Sequence, residues 1–435
     1  MRLRPFIAYS LEVTPPASPK PTSRLLSTLR TNASPYTILL FALPVVAQFV
    51  HYVEPNGPLI KGQAPGITIS FLLFIAACIC WLLYQPTQQR SRSFLIFACV
   101  IGLLWSVVIL ESRIDGSLFN LTAFIYLPVL FMLWWKPPTF SSVISALDVV
   151  AWSLIAISVL SQLLDYVGAR SMNHEFPLRW PILTDIIGVT TRWEGPFGNV
   201  NYAGPIGAFL VVYGVCRFGW NRMFLVFAGC FILLASEART SWIATLAGLA
   251  IIFLSTPKIW RIVLPLWVRI VTVLVGLMGA ILILVGPDSD LNARTPLWQS
   301  YFDLWKKTPL SGIGETGINQ NMTLGVIPGW ASHAHSVYLD TLFRYGLPTF
   351  ALLIVTLAVG AVIGIQAARC KSAIGLALLV TFIFGALTET IIDWRYLSIQ
   401  GLIVVSSVLL AASWLSSTRL NEQPTTQPTA DLMAN

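Results

Sequence analysis

The segment SFLIFACVIGLLWSVVIL, residues 93–110, contains no charged side chain and is bounded by Arg92 and Glu111. A helix of this length is about 27 Å long, close to the roughly 30 Å hydrocarbon core of a bilayer. The segment therefore predicts a membrane-spanning helix. The same pattern recurs along the chain and predicts about twelve spans, near residues 36–53, 67–84, 93–110, 118–135, 143–164, 201–217, 222–236, 241–256, 262–286, 336–365, 373–392 and 398–416.

The composition favours an all-α polytopic membrane protein. Of the 435 residues, 56% are hydrophobic and 11% are charged, whereas soluble proteins carry about 25% charged residues. A water-soluble globule is therefore excluded. The apolar runs are continuous, so the alternating strands of roughly ten residues that build an outer-membrane barrel are excluded as well.

Lysine and arginine residues indicate the orientation, because short cytoplasmic loops are enriched in them. With the N-terminus inside, the inner segments contain 15 of the 27 basic residues. Residues 1–35 and 417–435 are then expected to be cytoplasmic tails around a transmembrane domain at 36–416. The net charge of +8 is explained by this asymmetry and by contact with anionic membrane lipid, so nucleic acid is not an expected partner.

Two external segments are longer than a tight turn, residues 165–200 and 287–334, and the chemistry is expected there. Within the second, TPLWQSYFDLWKK (295–307) places Thr295 as an N-cap before Pro296 and aligns apolar side chains on one broad face. This pattern predicts an amphipathic helix lying on the outer membrane surface.

His333 and His335 lie at the end of the second external segment, at the mouth of the tenth predicted span. Three interpretations are open. A metal site needs three or four ligands, and no nearby cysteine or Glu-x-x-His pattern supplies them, so no metal is expected. Otherwise both histidines are polar members of an interfacial turn, or one is a general base, since imidazole titrates near neutral pH and can accept a hydroxyl proton.

Three arginines are predicted to converge on the same external face. Arg192 precedes the sixth span, Arg239 lies with Glu237 between the seventh and eighth, and Arg294 precedes the surface helix. A guanidinium fork matches phosphate oxygens, so these groups favour an anionic, lipid-linked substrate, above all a pyrophosphate. The structural alternatives are contact of Arg192 with lipid head groups and an internal Glu237–Arg239 ion pair.

Four sequence patterns, in this order, resemble the O-antigen ligase and polymerase superfamily of bacterial membrane glycosyltransferases. They are RWEGPFGNVN (192–201), SEARTSW (236–242), RTPLWQSYFDLWKKTPLSGIG (294–314) and HSVYLDTLFRYGLP (335–348). The resemblance covers roughly residues 190–360. Three positions depart from the family pattern, which commonly has Asn at the position of Ser336, an acidic residue at that of Arg344 and Gly at that of Thr349.

The resemblance implies a GT-C-like enzyme of the bacterial inner membrane, with about a dozen spans and an active site that faces outward. It implies metal-independent, inverting transfer of a glycan from undecaprenyl pyrophosphate, in lipopolysaccharide biosynthesis, without a cofactor. By the same resemblance, His335 activates the acceptor hydroxyl, while Arg239 and Arg294, with Arg192 as a third, bind the donor pyrophosphate. The candidate supporting residues are His333, Asn201, Tyr338 and Glu237.

The acceptor is left open. A lipid A-core sugar would make the protein a ligase, a growing glycan would make it a polymerase, and a protein would make it an O-oligosaccharyltransferase. The rival from another class is a transporter, in which Asp148 and Glu389 would be proton-relay carboxylates. A structural scaffold would not explain arginines at the outer lip.

Overall fold

A computed structural model describes residues 34–53, 65–84, 90–114, 125–166, 192–193, 195–197, 200–217, 219–255, 291–329, 331–387, 389 and 398–422. These ranges contain thirteen α-helices and one short 3-10 turn, Gly195–Phe197. The helices are α1 (Pro35–Val53), α2 (Pro65–Leu83), α3 (Arg92–Ile114), α4 (Tyr126–Trp135), α5 (Phe140–Tyr166), α6 (Val200–Val215), α7 (Gly219–Ser236), α8 (Arg239–Ser255), α9 (Leu291–Trp305), α10 (Gly314–Thr323), α11 (Val337–Arg369), α12 (Ile374–Gly385) and α13 (Ile399–Glu422).

The all-helical class is confirmed for the described ranges, and eleven of the twelve predicted spans coincide with helices. The run at 262–286 lies outside the described residues. Five helices, α3, α5, α7, α11 and α13, are long and apolar enough to cross a membrane. The eleventh predicted span is too long, because α12 ends at Gly385 and the chain then turns to place Glu389 beside Arg294.

The helices pack closely at small residues, and these contacts fix which helix ends lie together. A Cβ atom at Gly204 of α6 would lie 2.6 Å from Oγ of Ser241 in α8, so these two helices begin side by side. The first turns of α8 and α13, the last turns of α12 and the middle of α6 line one small, mostly apolar cavity. The N–H of Val337 in α11 donates to the carbonyl of Ala386, just after α12. We call this end of the bundle the site end.

Helix α9 differs from its prediction at the start. It begins at Leu291, so Thr295 lies inside the helix and its prediction as the N-cap is wrong. The turn before Thr295 contains Arg294, whose buried side chain pairs with an acidic partner. The predicted apolar face is present, but Leu297 and Tyr301 are buried against the start of α11. Placement of α9 on a membrane surface stays a prediction.

Helix α11 bends at Gly346, whose backbone (φ 78°, ψ 178°) is outside the helical region and accessible to glycine. The bend breaks the helical hydrogen bond between residues 343 and 347. The segment 309–313, which we call the clamp segment, replaces both partners. Ile313 N–H donates to Phe343 O at 2.7 Å, and Leu347 N–H donates to the carbonyl of Pro309 at 2.9 Å. The Pro-Leu-x-Gly-x-Gly pattern therefore sets the direction of the first turns of α11.

Candidate active site

His335 lies at the site end, one residue before the N-cap of α11. The N-cap is Ser336, whose side chain accepts a hydrogen bond from the backbone of Leu339. His335 has a positive φ of 50°, a conformation that histidine adopts more readily than most residues. Both ring nitrogens are buried from solvent. The predicted position at the mouth of a long apolar helix is thus confirmed.

His333 and His335 form a pair of contacting rings. The ring centroids are 4.3 Å apart and the planes are 77° to one another. Burial lowers the pKa of His333, and the positive charges of Arg344 and Arg294 act in the same direction, against the opposite effect of Asp340. The His333 ring is therefore held in its neutral form near physiological pH.

Side chains from two helices fix the backbone that carries His333. From α9, the indole of Trp298 donates to the carbonyl of Ala334 at 2.7 Å, and the hydroxyl of Tyr301 donates to that of Ala331 at 2.8 Å. From α11, the carboxylate of Asp340 accepts from the N–H of Ala334 at 3.1 Å, and the guanidinium of Arg344 donates to the carbonyl of Ser332 at 2.8 Å. We call residues 331–335 the histidine loop.

The two α11 groups are Asp340 and Arg344, which the site prediction did not include. They are one helical turn apart, with Nε of Arg344 3.2 Å from Oδ2 of Asp340. Arg344 also pairs with Glu315 of α10, and its side chain is only 5% exposed. The acidic and basic residues at (i, i+4) spacing were visible in the sequence, but their bonds to the histidine loop were not.

Arg294 is buried at the start of α9 and pairs with Glu389, which follows α12. Nη2 of Arg294 lies 2.8 Å from Oε1 of Glu389, and the two side chains are 11% and 7% exposed. One helical turn later, Trp298 of the same helix donates to the carbonyl of Ala334 in the histidine loop, so α9 connects Arg294 and its carboxylate partner to that loop; the meeting of Arg294 with the histidines in one site stays a prediction.

Arg192 docks on the turn between α7 and α8. Its Nε donates to the carbonyl of Ser236 at 2.9 Å, and its Nη2 donates to that of Glu237 at 3.2 Å. Glu237 is buried, with a positive φ of 48°. Because carbonyl oxygens already occupy two of its donors, Arg192 supports this turn, and through it the start of α8.

Arg239 is the first residue of α8 and is partly exposed. Within the described ranges, its side chain makes no hydrogen bond or ion pair. Gly248 of α8 packs against Ala377 and Thr381 of α12, whereas Ser241 and Gly385 line the same cavity. The two helices are therefore antiparallel, and Arg239 lies at the level of the residues that follow α12.

The remaining candidates have supporting positions. Asn201 lies in the first turn of α6 and is partly buried. The hydroxyl of Tyr338 donates to the carbonyl of Ile383 at 3.0 Å, which ties α11 to the end of α12. Among the described residues, no group of three or more His, Cys, Asp or Glu side chains is arranged to hold a metal ion.

Comparison with known proteins finds a family model that matches part of this chain. Residues 224–354 match the family model described as O-antigen ligase, which confirms the resemblance over that range. No curated protein matches the chain. The matched range contains Arg239, Arg294 and both loop histidines, whereas Arg192 and Asn201 precede it.

Proposed function

We propose that this chain is a membrane glycan transferase of the O-antigen ligase type, acting at the extracytoplasmic face of the bacterial inner membrane. The donor would be a glycan on undecaprenyl pyrophosphate, and the acceptor a hydroxyl such as that of a lipid A-core sugar. The observation that carries the proposal is that α9, which carries Arg294, is hydrogen-bonded through Trp298 to Ala334 between the two loop histidines, inside the range that matches the family.

The residues at the site end fit the two halves of such a reaction. His335 would take the proton of the acceptor hydroxyl as its oxygen attacks the anomeric carbon. Arg239 and Arg294 would stabilise the departing pyrophosphate, with Arg192 behind them. Displacement in one step would invert the anomeric centre, without a metal ion.

The helix directions support an anionic substrate at this end. The N-terminal ends of α8 and α13 border the shared cavity, and α11 begins beside the end of α12. Helix N-termini carry partial positive charge and attract anions. This fixed field adds to the arginines and favours a diphosphate over a neutral sugar as the group that docks here.

Two carboxylates that a transporter would use are instead paired with arginines. Asp148 accepts from Tyr213 at 2.7 Å and lies 2.6 Å from Nη2 of Arg217, and Glu389 pairs with Arg294. A proton relay needs carboxylates that change charge during transport. The pairing therefore favours the transferase, although the geometry suits ligase, polymerase and protein-transferase acceptors equally.

The test is a transfer assay with purified protein and an undecaprenyl-pyrophosphate glycan. Lipid A-core, free glycan and a protein acceptor are offered separately, and gel mobility identifies the product. We expect transfer to lipid A-core and its loss in His335→Ala with unchanged folding. Full activity of His335→Ala, or donor uptake into proteoliposomes without transfer, would refute the proposal.

A further inference from the structure

A second cluster of basic and aromatic side chains lies at the end of the bundle opposite the site end. The N–H of Ser398, just before α13, donates to the hydroxyl of Tyr126 at 3.1 Å, so α4 begins at the site end. Further along α13, the hydroxyl of Ser413 donates to the carbonyl of Pro138 at 3.3 Å. Helix α4 therefore ends at the far end of the bundle.

Arg90 is the centre of this cluster. Its guanidinium carbon lies 3.7 Å from the ring centroid of Trp135, the last residue of α4, and 5.6 Å from that of Trp134. Within the part of the chain that the structure describes, Arg90 is exposed and makes no hydrogen bond or ion pair. Stacking on an aromatic face holds a guanidinium in place and leaves its N–H groups at the edge. Arg90 can therefore donate to an external anion.

Two further basic residues adjoin Arg90 and its rings. Arg92, the first residue of α3, is exposed and likewise has no partner among the described residues. Lys136 follows α4 and donates to the carbonyls of Trp81 and Leu82 at the end of α2, at 2.7 and 3.0 Å. No aspartate or glutamate occurs in the segments that meet here, residues 34–53, 65–84, 90–110 and 125–139. The three positive charges are therefore not compensated by a carboxylate of these segments.

An apolar column leads from the cluster along α4. Trp135, Phe131 and Leu127 are four residues apart, so they share one helix face, and they are 38%, 48% and 38% exposed. The rings of Phe131 and Trp135 are stacked, with centroids 5.5 Å apart. Tryptophan is enriched at the level of the lipid headgroups. A guanidinium on Trp135 therefore lies at headgroup level, and the rest of the column faces acyl chains.

We propose that Arg90, Arg92 and Trp135 form a binding site for one anionic phospholipid of the phosphatidylglycerol type. The phosphodiester oxygens accept hydrogen bonds from the two guanidinium groups, Lys136 adds its charge, and one acyl chain lies along the apolar column. A phosphatidylcholine headgroup carries its own cation, which the three basic side chains repel. The bound lipid joins the ends of α3 and α4. The site is independent of the proposed function, because it lies at the other end of the bundle.

The first test measures lipid binding directly. Native mass spectrometry of the full chain in detergent resolves each bound lipid and gives its Kd. We expect phosphatidylglycerol to bind more tightly than phosphatidylcholine, and Arg90→Gln and Arg92→Gln each to weaken it about fivefold, the effect of one basic side chain at an anionic lipid surface. The matched control is Arg222→Gln, which removes an exposed arginine at the start of α7 and should leave the Kd unchanged. Equal affinity for the two lipids, or an equal loss in Arg222→Gln, would overturn the proposal.

The second test separates a lipid site from simple phosphate binding, and its comparison of ligands needs no variant. A ligand that binds the folded protein raises the melting temperature. We expect added phosphatidylglycerol to raise that of the wild type, and glycerophosphoglycerol, the headgroup without acyl chains, to leave it unchanged. The response to the lipid should be lost in the Arg90→Gln/Arg92→Gln protein and reduced in Trp135→Leu. Equal stabilisation by the free headgroup, or a wild-type response of Trp135→Leu, would refute the site.

Discussion

Arg294 and Glu389 are 95 positions apart in the chain, yet Nη2 of one lies 2.8 Å from Oε1 of the other in a largely buried ion pair. The pair joins the start of α9 to the segment that follows α12. Since α9 also holds the histidine loop through Trp298 and Tyr301, this contact ties the loop to the bundle.

The strength of this tie can be measured with a double-mutant cycle. We expect Arg294→Gln and Glu389→Gln each to be destabilising, and the double variant to be less so than their sum, with a coupling energy of about 1–3 kcal/mol. Each single change leaves one buried charge without its partner. The free energy of unfolding would be measured by steric trapping in bicelles. A coupling below about 0.5 kcal/mol would show that the pair does not hold α9.

Arg239 is expected to act through the geometry of its fork. Arg239→Lys keeps the charge but loses the paired donors that match a phosphate, so we expect transfer to fall at least tenfold. Arg222→Lys, at an exposed position near the opposite end of α7, is the matched control and should change transfer less than twofold. Equal activity of the two variants would remove Arg239 from the donor site.

The clamp segment makes a prediction about two glycines. A Cβ atom at Gly312 would collide with the carbonyl of Arg344, and one at Gly346 with that of Leu310. Gly325 also has a positive φ but open space around it. We therefore expect Gly325→Ala to cost only backbone strain, about 1–3 kcal/mol, and Gly312→Ala and Gly346→Ala to cost more. Thermal unfolding in detergent would rank the three; equal melting temperatures would contradict the clamp.

Asp340 should be a strong determinant of stability. Asp340→Asn removes a carboxylate from Arg344, whose side chain is 5% exposed, and breaking such a buried pair costs about 3–5 kcal/mol. Asp303→Asn is the control, because the Asp303–Lys306 pair is more than half exposed and such pairs contribute at most about 1 kcal/mol. Similar losses of unfolding free energy in both variants would disprove the buried network.

Acid should destabilise the protein through His333. Burial lowers the pKa of His333 in the folded state, so below the ordinary histidine value the unfolded chain binds the proton more tightly. The free energy of unfolding is then independent of pH well above the ordinary histidine pKa. It falls as the pH drops from that value toward the lower pKa that His333 has in the folded state. Melting temperatures at several pH values would show this slope, and we expect it to be shallower in His333→Phe. An identical slope would assign the acid sensitivity to other groups.

The helices could be predicted from the sequence because continuous apolar runs are a local signal. The run at 93–110, for example, lies within α3. The end of α12 differs from its prediction, since residues 386–392 are apolar enough for the predicted span to continue, whereas the helix ends at Gly385 and Glu389 pairs with Arg294. The start of α9 also differs from its prediction, because Thr295 before Pro296 is a local cap signal, whereas the helix already begins one turn earlier, at Leu291.

The site was predictable only in part. His335 and the arginines stood in recognisable patterns, but Arg344 was read as a departure from the family. In the structure its guanidinium donates to the carbonyl of Ser332, and Asp340 accepts from the N–H of Ala334 in the same loop. Hydrogen bonds from a side chain to a distant backbone leave no periodic trace in sequence, so this support could not be foreseen.

The bend in α11 has a consequence for protein engineering. The clamp segment, which precedes the bend by about thirty positions, replaces the missing helical hydrogen bond. The clamp segment and the bend therefore cannot be exchanged independently of each other. Exchanging the segment between α9 and the histidine loop with that of another protein would leave an orphan carbonyl at Phe343 and an orphan N–H at Leu347. A working chimera has to carry residues 309–347 as a single cassette.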